Sequence, residues 1–181
     1  MLKITDNPPI VYPENATLEE IQGQWWVAHT KSRNEKALAT TLSRWDIAYF
    51  LPLVEKVSHR KGRKYRSLLP LFGGYLFFCG DEQARYQALT TNRIAQIIKV
   101  IDQKQLIYEL TAINHAIASG MPIDPHPSLT KGMRCRVSGG PLMGQEGFVV
   151  RRNKSTRILL QVEMLGQAAA VEIDADLLEQ L

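Results

Sequence analysis

The chain has 181 residues, with 22 Lys and Arg against 18 Asp and Glu, a formal net charge of +4. This length allows one domain of average size or two small ones. Cys79 and Cys135 are far apart and have no histidine nearby, so we expect buried free thiols in a reducing compartment and no metal site. The chain has no signal-peptide pattern and no apolar run near the ~20 residues of a membrane span. These features predict a cytosolic protein without a membrane partner.

A proline-rich segment predicts where the chain divides. Residues 121–128 contain three prolines and are expected to form a stiff, extended linker between domains at 25–120 and 129–181. Residues 1–24 are expected to be a loosely held N-terminal extension. Residues 1–120 carry 15 Lys and Arg against 11 Asp and Glu, whereas residues 121–181 carry seven of each. The net charge therefore belongs to the first part, and the two domains are expected to have different partners.

The first domain opens with a strand over residues 25–30. Ser32 and Glu35 have the spacing of a capping box, which predicts a helix from there to about Asp46. A strand over 47–54 leads into a hairpin centred on Gly62. Later residues predict an aromatic strand, a helix capped by Asp81, a strand over 94–101 and a helix that ends near Gly120. This order predicts an α+β fold with a mostly antiparallel sheet.

The predicted hairpin is strongly basic. Residues 56–66, KVSHRKGRKYR, contain six cations and no acid. Such a composition is typical of a solvated loop that keeps a protein soluble, and also of a finger that contacts phosphates. On the second interpretation, the nucleic-acid contacts are Arg60, Lys61, Arg63 and Lys64.

The aromatic strand over residues 69–79 is apolar on both faces. Alternation places Leu76 and Phe78 on one face and Tyr75, Phe77 and Cys79 on the other. The second set either packs under a helix of the same domain or forms an exposed patch for a partner. The pattern by itself favours the core.

The second domain has a glycine-rich segment, KGMRCRVSGGPLMGQEGFVV, over residues 131–150. Alternation before and after the glycines predicts two strands. The glycines themselves predict a tight turn with positive φ and a close approach of the backbone to another surface. An ordinary hairpin with a glycine-rich turn has the same composition.

Two segments carry a family resemblance. Residues 140–149, GPLMGQEGFV, resemble a KOW motif, and residues 71–78, LFGGYLFF, resemble the signature of the NusG N-terminal domain, with Gly73 at a position where proline is typical. With the order of the elements, the chain resembles the NusG/RfaH family of transcription elongation and antitermination factors over about residues 25–181. Residues 30–36 are similar to the start of the first helix in specialised paralogs.

The resemblance implies a NusG-type N-terminal domain that binds RNA polymerase and suppresses pausing or termination. It assigns polymerase binding to an exposed aromatic face, contrary to the core interpretation, and to the start of the helix after Cys79. The matching positions are Phe72, Tyr75, Phe77 and Ile97, and then Ala84, Arg85 and Tyr86. It also implies contact with the non-template DNA strand or nascent nucleic acid, at positions Lys31, Thr41, Arg44, Thr91 and Asn92.

For the second domain the resemblance implies an SH3-like β-barrel, the KOW domain, which recruits a ribosomal small-subunit protein or the termination factor Rho. The matching positions are Met143, Met164 and Leu165, and Leu165 stands where the family has an aromatic residue. A masking α-hairpin is disfavoured because glycines cost about 1 kcal/mol each in a helix interior. Only residues 168–181 could be helical. The expected protein is a monomer that needs no cofactor.

Two other classes of protein compete with this assignment. An RNA-binding or ribosome-associated KOW protein would use the basic hairpin on rRNA, but this class does not explain the aromatic signature. An enzyme is the least expected class, because the four histidines are scattered and no nucleophile, carboxylate pair or phosphate loop stands out. No catalytic residue is therefore predicted.

Overall fold

The structure is a computed structural model that describes residues 6–60, 63–126, 132–152 and 155–181. The chain divides into two compact units, Met1–Gln103 and Lys104–Leu181. This division differs from the boundary predicted near residue 120, because most of the last helix belongs to the second unit. The mixed α and β architecture with antiparallel sheets agrees with the predicted fold class.

The first unit is built around a five-stranded antiparallel sheet of order β1-β3-β6-β2-β7, and the hairpin β4-β5 forms a separate two-stranded sheet. Its elements follow the predicted order, with one added strand at the start. They are β1 Val11–Tyr12, β2 Gln24–Thr30, α1 Glu35–Arg44, β3 Ala48–Phe50, β4 Leu53–Arg60, β5 Arg63–Pro70, β6 Tyr75–Gly80, α2 Glu82–Thr90 and β7 Ile94–Lys99.

The N-terminal segment is part of this fold, so the prediction of a loosely held extension was wrong for its described residues. Strand β1 pairs with β3, and the Tyr12 ring stacks on Tyr49 with centroids 5.9 Å apart. The Tyr12 hydroxyl donates to Asp46 Oδ1 at 2.9 Å, and Leu18 is buried. Burial of these apolar groups offsets the entropy of ordering the segment.

The helix starts illustrate one wrong and one correct capping prediction. Helix α1 begins after Asn34, which makes no side-chain cap, and the predicted box of Ser32 and Glu35 does not form. The buried Glu35 carboxylate instead accepts the Gly74 N–H at 2.7 Å. At α2, Asp81 accepts the Ala84 N–H at 2.8 Å, as the sequence predicts.

The two faces of the first sheet bury different side chains. The face against α1 carries Trp26, Ala28, Leu76 and Phe78, which pack with Leu38 of the helix. The opposite face carries Val27, which pairs with Phe77, and Trp25, which pairs with Cys79. These four residues are also buried, so the sheet is apolar on both sides, as its alternation predicts.

The second unit contains most of the helix α3, Gln103–Ala118, and an antiparallel sheet of six strands in the order β13-β9-β10-β11-β12-β8. The strands are β8 Ile123–His126, β9 Met133–Val137, β10 Glu146–Arg152, β11 Ser155–Val162, β12 Gln167–Glu172 and β13 Leu178–Gln180. Two 3₁₀ turns, Glu163–Leu165 and Ala175–Leu177, join the later strands. Strands β8 and β13 end the sheet as described, so closure into a barrel stays a prediction.

Two segments of the second unit differ from their predicted form. Residues 123–126 of the predicted linker pair with β12 as strand β8, and so they are part of the sheet. The helical alternative for residues 168–181 was wrong, because Ala168, Ala169 and Ala170 lie buried in β12. Tertiary packing here outweighs the high helix propensity of alanine.

The glycines of the KOW-like segment have the roles that the sequence predicts. Gly140 has a φ of +79°, the left-handed conformation that a side chain disfavours. At Gly147, a Cβ would lie 2.5 Å from the Leu159 carbonyl oxygen of the neighbouring strand. The segment therefore combines a turn that needs glycine with a close approach of two backbones.

Both cysteines are buried free thiols, as predicted, and burial raises the pKa of Cys79 to about 11. In the described part of the chain, no helix is both long and apolar enough to cross a membrane.

Candidate functional site

The aromatic signature forms a packed group with an accessible rim. Phe77 lies 6.2 Å from Phe50 and 6.4 Å from Phe72, measured between ring centroids, and Phe72 and Phe77 are buried. The predicted exposure of Phe72 and Phe77 was therefore wrong, because the rings cover one another. Tyr75 is half-buried and stacks on the half-buried His29 ring at 5.0 Å. Tyr75 is therefore the accessible aromatic side chain of the signature.

Strand register shows that Ile97 does not share a face with Phe77, contrary to the predicted grouping. Ile97 pairs with Ala28, which also pairs with Leu76, and its side chain packs against the core under α1. Ile98 pairs with Val27, opposite Phe77, and is half-buried. The sequence indicated the correct strand, but the choice between neighbours depends on the register of pairing.

The start of α2 presents one free aromatic side chain. The Ala84 N–H donates to the capping Asp81 side chain. Arg85 forms an ion pair with Glu82 at 2.6 Å, and its guanidinium lies 5.6 Å from the centre of the Trp26 ring. Tyr86 is 67% exposed. Of the three predicted positions, Tyr86 is the one that offers a large surface to a partner.

Two predicted nucleic-acid contacts lie next to each other. The Lys31 ammonium donates to Asn92 Oδ1 at 2.6 Å, and both residues are exposed. The Lys31 N–H also donates to the Arg93 carbonyl at 2.8 Å, and the Arg93 guanidinium donates to Asn34 Oδ1 at 2.9 Å. These bonds fix the Lys31 loop against the turn before β7.

Arg93 links this pair to a cavity of 380 Å³ beside α1. The cavity brings together the predicted Thr41 and Arg44 with two cations that were not predicted, Lys36 and Arg93. Its lining is Asp6, Lys36, Ala37, Thr40, Thr41, Arg44 and Arg93. The helical spacing of residues 36, 40 and 44 and the position of Arg93 directly after Asn92 were the available signals.

The exposed pair and the cavity together form a basic surface, which we define by Lys31, Arg44, Asn92 and Arg93. The polar groups on it and beside it differ in how far they already make hydrogen bonds. Thr41 donates to the Ala37 carbonyl at 2.9 Å and Thr91 to the Ala88 carbonyl at 2.7 Å, so both hydroxyl protons are used by carbonyls of the preceding helical turn. Lys36 donates to the Leu68 carbonyl, and burial lowers its pKa from the ordinary value. Arg44 is exposed, which makes it the most available cation of the cavity.

The predicted basic hairpin forms, with β4 and β5 in continuous register from Leu53 opposite Pro70 to Arg60 opposite Arg63. Arg63 and Lys64 are exposed, as a nucleic-acid contact requires. Lys61 lies outside the described residues, and Arg60 is described by its backbone alone.

The predicted partner-binding positions of the second unit lie in two turns. Met143 is 70% exposed, in a turn closed by its N–H to the Gly140 carbonyl at 3.0 Å. Met164 and Leu165 are half-buried in a 3₁₀ turn, whose first N–H, at Glu163, donates to Glu109 Oε2 of α3 at 3.2 Å.

Comparisons with known proteins place the chain in a family. The family model NusG, described as transcription termination factor nusG, matches residues 23–115, just over half of the chain. A solved structure entitled "Crystal Structure of MjSpt4:Spt5 complex conformation B" is similar at 14% identity and a TM-score of 0.29, covering 87% of this chain and 96% of that chain. No curated protein sequence matches. On the extent of the family match, the chain belongs to the NusG family of transcription factors.

Proposed function

We propose that this protein is a transcription elongation factor that binds RNA polymerase through its first unit and suppresses pausing or termination. The observation that carries the proposal is the family match over residues 23–115, which contains both the His29–Tyr75 stack and the basic surface beside α1. The likeness of residues 30–36 to the first helix of specialised paralogs supports a specialised, antitermination member of the family.

Polymerase binding is assigned to the accessible aromatic side chains. Tyr75 lies at the rim of the sheet with His29, and Tyr86 projects from α2. Large aromatic residues dominate the energy of many protein interfaces because they bury much area at little entropic cost. The buried Phe72 and Phe77 act by holding strand β6 and its rim residue in place.

Nucleic-acid binding is assigned to the basic surface of Lys31, Arg44, Asn92 and Arg93, with the exposed hairpin cations Arg63 and Lys64 as a second contact. The partner is the non-template DNA strand, or the nascent transcript, at the polymerase. Cations supply affinity for phosphates, and the Asn92 amide can hydrogen-bond a base edge.

The second unit recruits a second partner through Met143, Met164 and Leu165 in this proposal. The partner is a ribosomal small-subunit protein or Rho, bound by a KOW domain that closes as an SH3-like barrel. Exposed and half-buried methionines adapt to an apolar partner surface because the side chain is flexible and polarizable.

Retention on immobilised core RNA polymerase tests this function. We expect wild-type protein to be retained, and Tyr75→Ala to lose most of the binding. The matched control is Tyr108→Ala, which removes a tyrosine of α3 that is 47% exposed. Absence of wild-type retention, together with binding to ribosomes, would instead support a ribosome-associated KOW protein.

A transcription assay tests the regulatory part of the proposal. On a template with a defined pause site, added protein should shorten the pause or increase read-through. Retention on polymerase without any change in pausing or termination would contradict the elongation role while leaving the binding assignment intact.

A further inference from the structure

The basic hairpin has two chemically different faces. In an antiparallel pair, directly opposed residues share a face and successive residues alternate between faces. The register places Tyr65 opposite Ser58 and Lys56 opposite Ser67 on one face, on which Arg63 also lies, two residues from Tyr65. We call this set, Lys56, Ser58, Arg63, Tyr65 and Ser67, the tyrosine face.

The ring of Tyr65 is available on this face. Tyr65 is 41% exposed, and its cross-strand neighbour is the small Ser58. Within the described residues, the aromatic pairs are Tyr12–Tyr49, His29–Tyr75, Phe50–Phe77 and Phe72–Phe77, so no other ring stacks on Tyr65. An exposed ring without a stacking partner can accept a flat ligand.

The cations of the tyrosine face are not matched by acids. Lys56 and Arg63 are exposed, and the face contains no Asp or Glu among its members. The adjacent acid, Glu55, pairs with Arg66 at 3.3 Å on the opposite face. A flat ring between two unmatched cations is complementary to a polyanion that also offers flat groups.

The hairpin is anchored at its base. Leu53 is buried, Leu68 packs against the core under α1, and the Leu71 N–H donates to the Pro52 carbonyl at 2.8 Å. An isolated two-stranded ribbon has little stability of its own, so anchorage at the base fixes the direction in which the distal half projects.

We propose that the tyrosine face binds single-stranded nucleic acid, with Tyr65 stacked on an unpaired base and Lys56 and Arg63 on the neighbouring phosphates. A duplex holds its bases stacked inside, whereas a single strand offers a free π-face to an aromatic side chain. The site deepens the nucleic-acid contact of the proposed function. Because it is tested without polymerase, its failure is distinguishable from failure of polymerase binding.

Fluorescence anisotropy with labelled 12-nucleotide strands, dT12 and rU12, and a 12-base-pair duplex tests the proposal on the full-length protein. We expect both single strands to bind more tightly than the duplex. The ratio of the two single-strand affinities shows whether DNA or RNA is the preferred ligand. Tyr65→Leu should weaken single-strand binding roughly tenfold with an unchanged salt slope. Tyr65→Phe should bind as wild type, and Tyr108→Leu is the control for loss of an exposed tyrosine.

The phosphate contacts give a second, independent signature. Lys56→Gln with Arg63→Gln should reduce the slope of log K against log salt by about 1.4, because each phosphate contact on a single strand contributes about 0.7. If Tyr65→Leu fails to fold, Tyr65→Trp decides, since its fluorescence should be quenched by the bound base. Equal affinity of wild type and a folded Tyr65→Leu, tighter binding of the duplex, or absence of quenching would overturn the proposal.

Discussion

Two antiparallel strand pairs, β4-β5 in the first unit and β9-β10 in the second, carry similar cations but differ in whether an acid of the same chain pairs with them. In β9-β10, Arg134 and Arg136 both bind Glu146, at 2.8 and 2.6 Å. Hydrogen bonding to Arg136 lowers the pKa of Glu146, and the same bond raises that of Arg136. On the tyrosine face of β4-β5, no acid occupies the corresponding position. Positive residues therefore suggest a nucleic-acid partner only where the chain does not supply its own counter-charge.

The two sheets also differ in how their cores are filled. The first sheet buries large rings, including Trp25, Phe50 and Phe77, whereas the second buries aliphatic side chains such as Ile158 and Leu159 beside the alanines of β12. Large rings fix the first sheet through side-chain packing, and small residues let the strands and turns of the second approach closely. Stability should accordingly respond to side-chain truncation in the first unit and to added volume in the second.

The largest effect is expected from truncation in the first sheet. Phe77→Ala should destabilise the protein by about 3–5 kcal/mol, because Phe77 is buried against Phe50 and Phe72. Tyr75→Ala, at the half-buried rim, should cost about 1 kcal/mol. Urea denaturation measures both. A stable Phe77→Ala variant that no longer binds polymerase would show that Phe77 is an interface residue.

Added volume should be most harmful in the second sheet. Gly147→Ala should cost about 1–3 kcal/mol, because its Cβ would lie 2.5 Å from the Leu159 carbonyl oxygen and 2.7 Å from Ile158 Cγ1. Gly73→Ala in the first unit is the matched control, since nothing lies within 4 Å of its Cβ position. Thermal unfolding compares the two variants, and equal melting temperatures would contradict the close approach of β10 and β11.

The contrast between free and paired cations predicts different salt responses. Arg63→Gln with Lys64→Gln should weaken binding to a nucleic-acid-containing elongation complex and reduce the salt slope by about 1.4 to 1.8. Arg134→Gln should leave the slope unchanged, because Arg134 is paired with Glu146. Binding titrations at several salt concentrations measure the slopes. If Arg134→Gln reduced the salt slope equally, pairing with an acid of the same chain would not keep a cation from contributing to nucleic-acid binding.

The smallest effect is expected at Glu146, the acid that pairs with Arg134 and Arg136 in the second unit. The folded pKa of Glu146 lies below its ordinary value of 4.5. Its contribution to stability is therefore present above pH 4.5 and is lost as the pH falls through the folded pKa. Glu146→Gln should lower the melting temperature at pH 7 by about 2 °C or less, because the pair is solvated. Below the folded pKa, the two proteins should melt alike; a difference that persists there would exclude charge pairing as the cause.

The local parts of the candidate site could be predicted from the sequence. The Asp81 cap, the basic hairpin, the strand position of Tyr75 and the place of Lys31 directly after β2 depend on short-range propensities, charge and alternation. The pair of Lys31 and Asn92 was predicted as a shared surface because both positions match the family, although 61 residues separate them. Arg93 and Lys36 were missed, since nothing local shows that the turn before β7 meets α1.

Residue patterns were enough to predict the elements from β2 to β7 in order, the turn at Gly140 and the apolar character of both faces of β6, because these follow from backbone sterics and side-chain periodicity. Contacts between distant parts of the chain place Ile98, and not Ile97, on the face of Phe77, and bring the Glu35 carboxylate to the Gly74 N–H. Such contacts also join β1 and β8 to their sheets. Register and pairing between distant strands depend on the whole core, which no local pattern records.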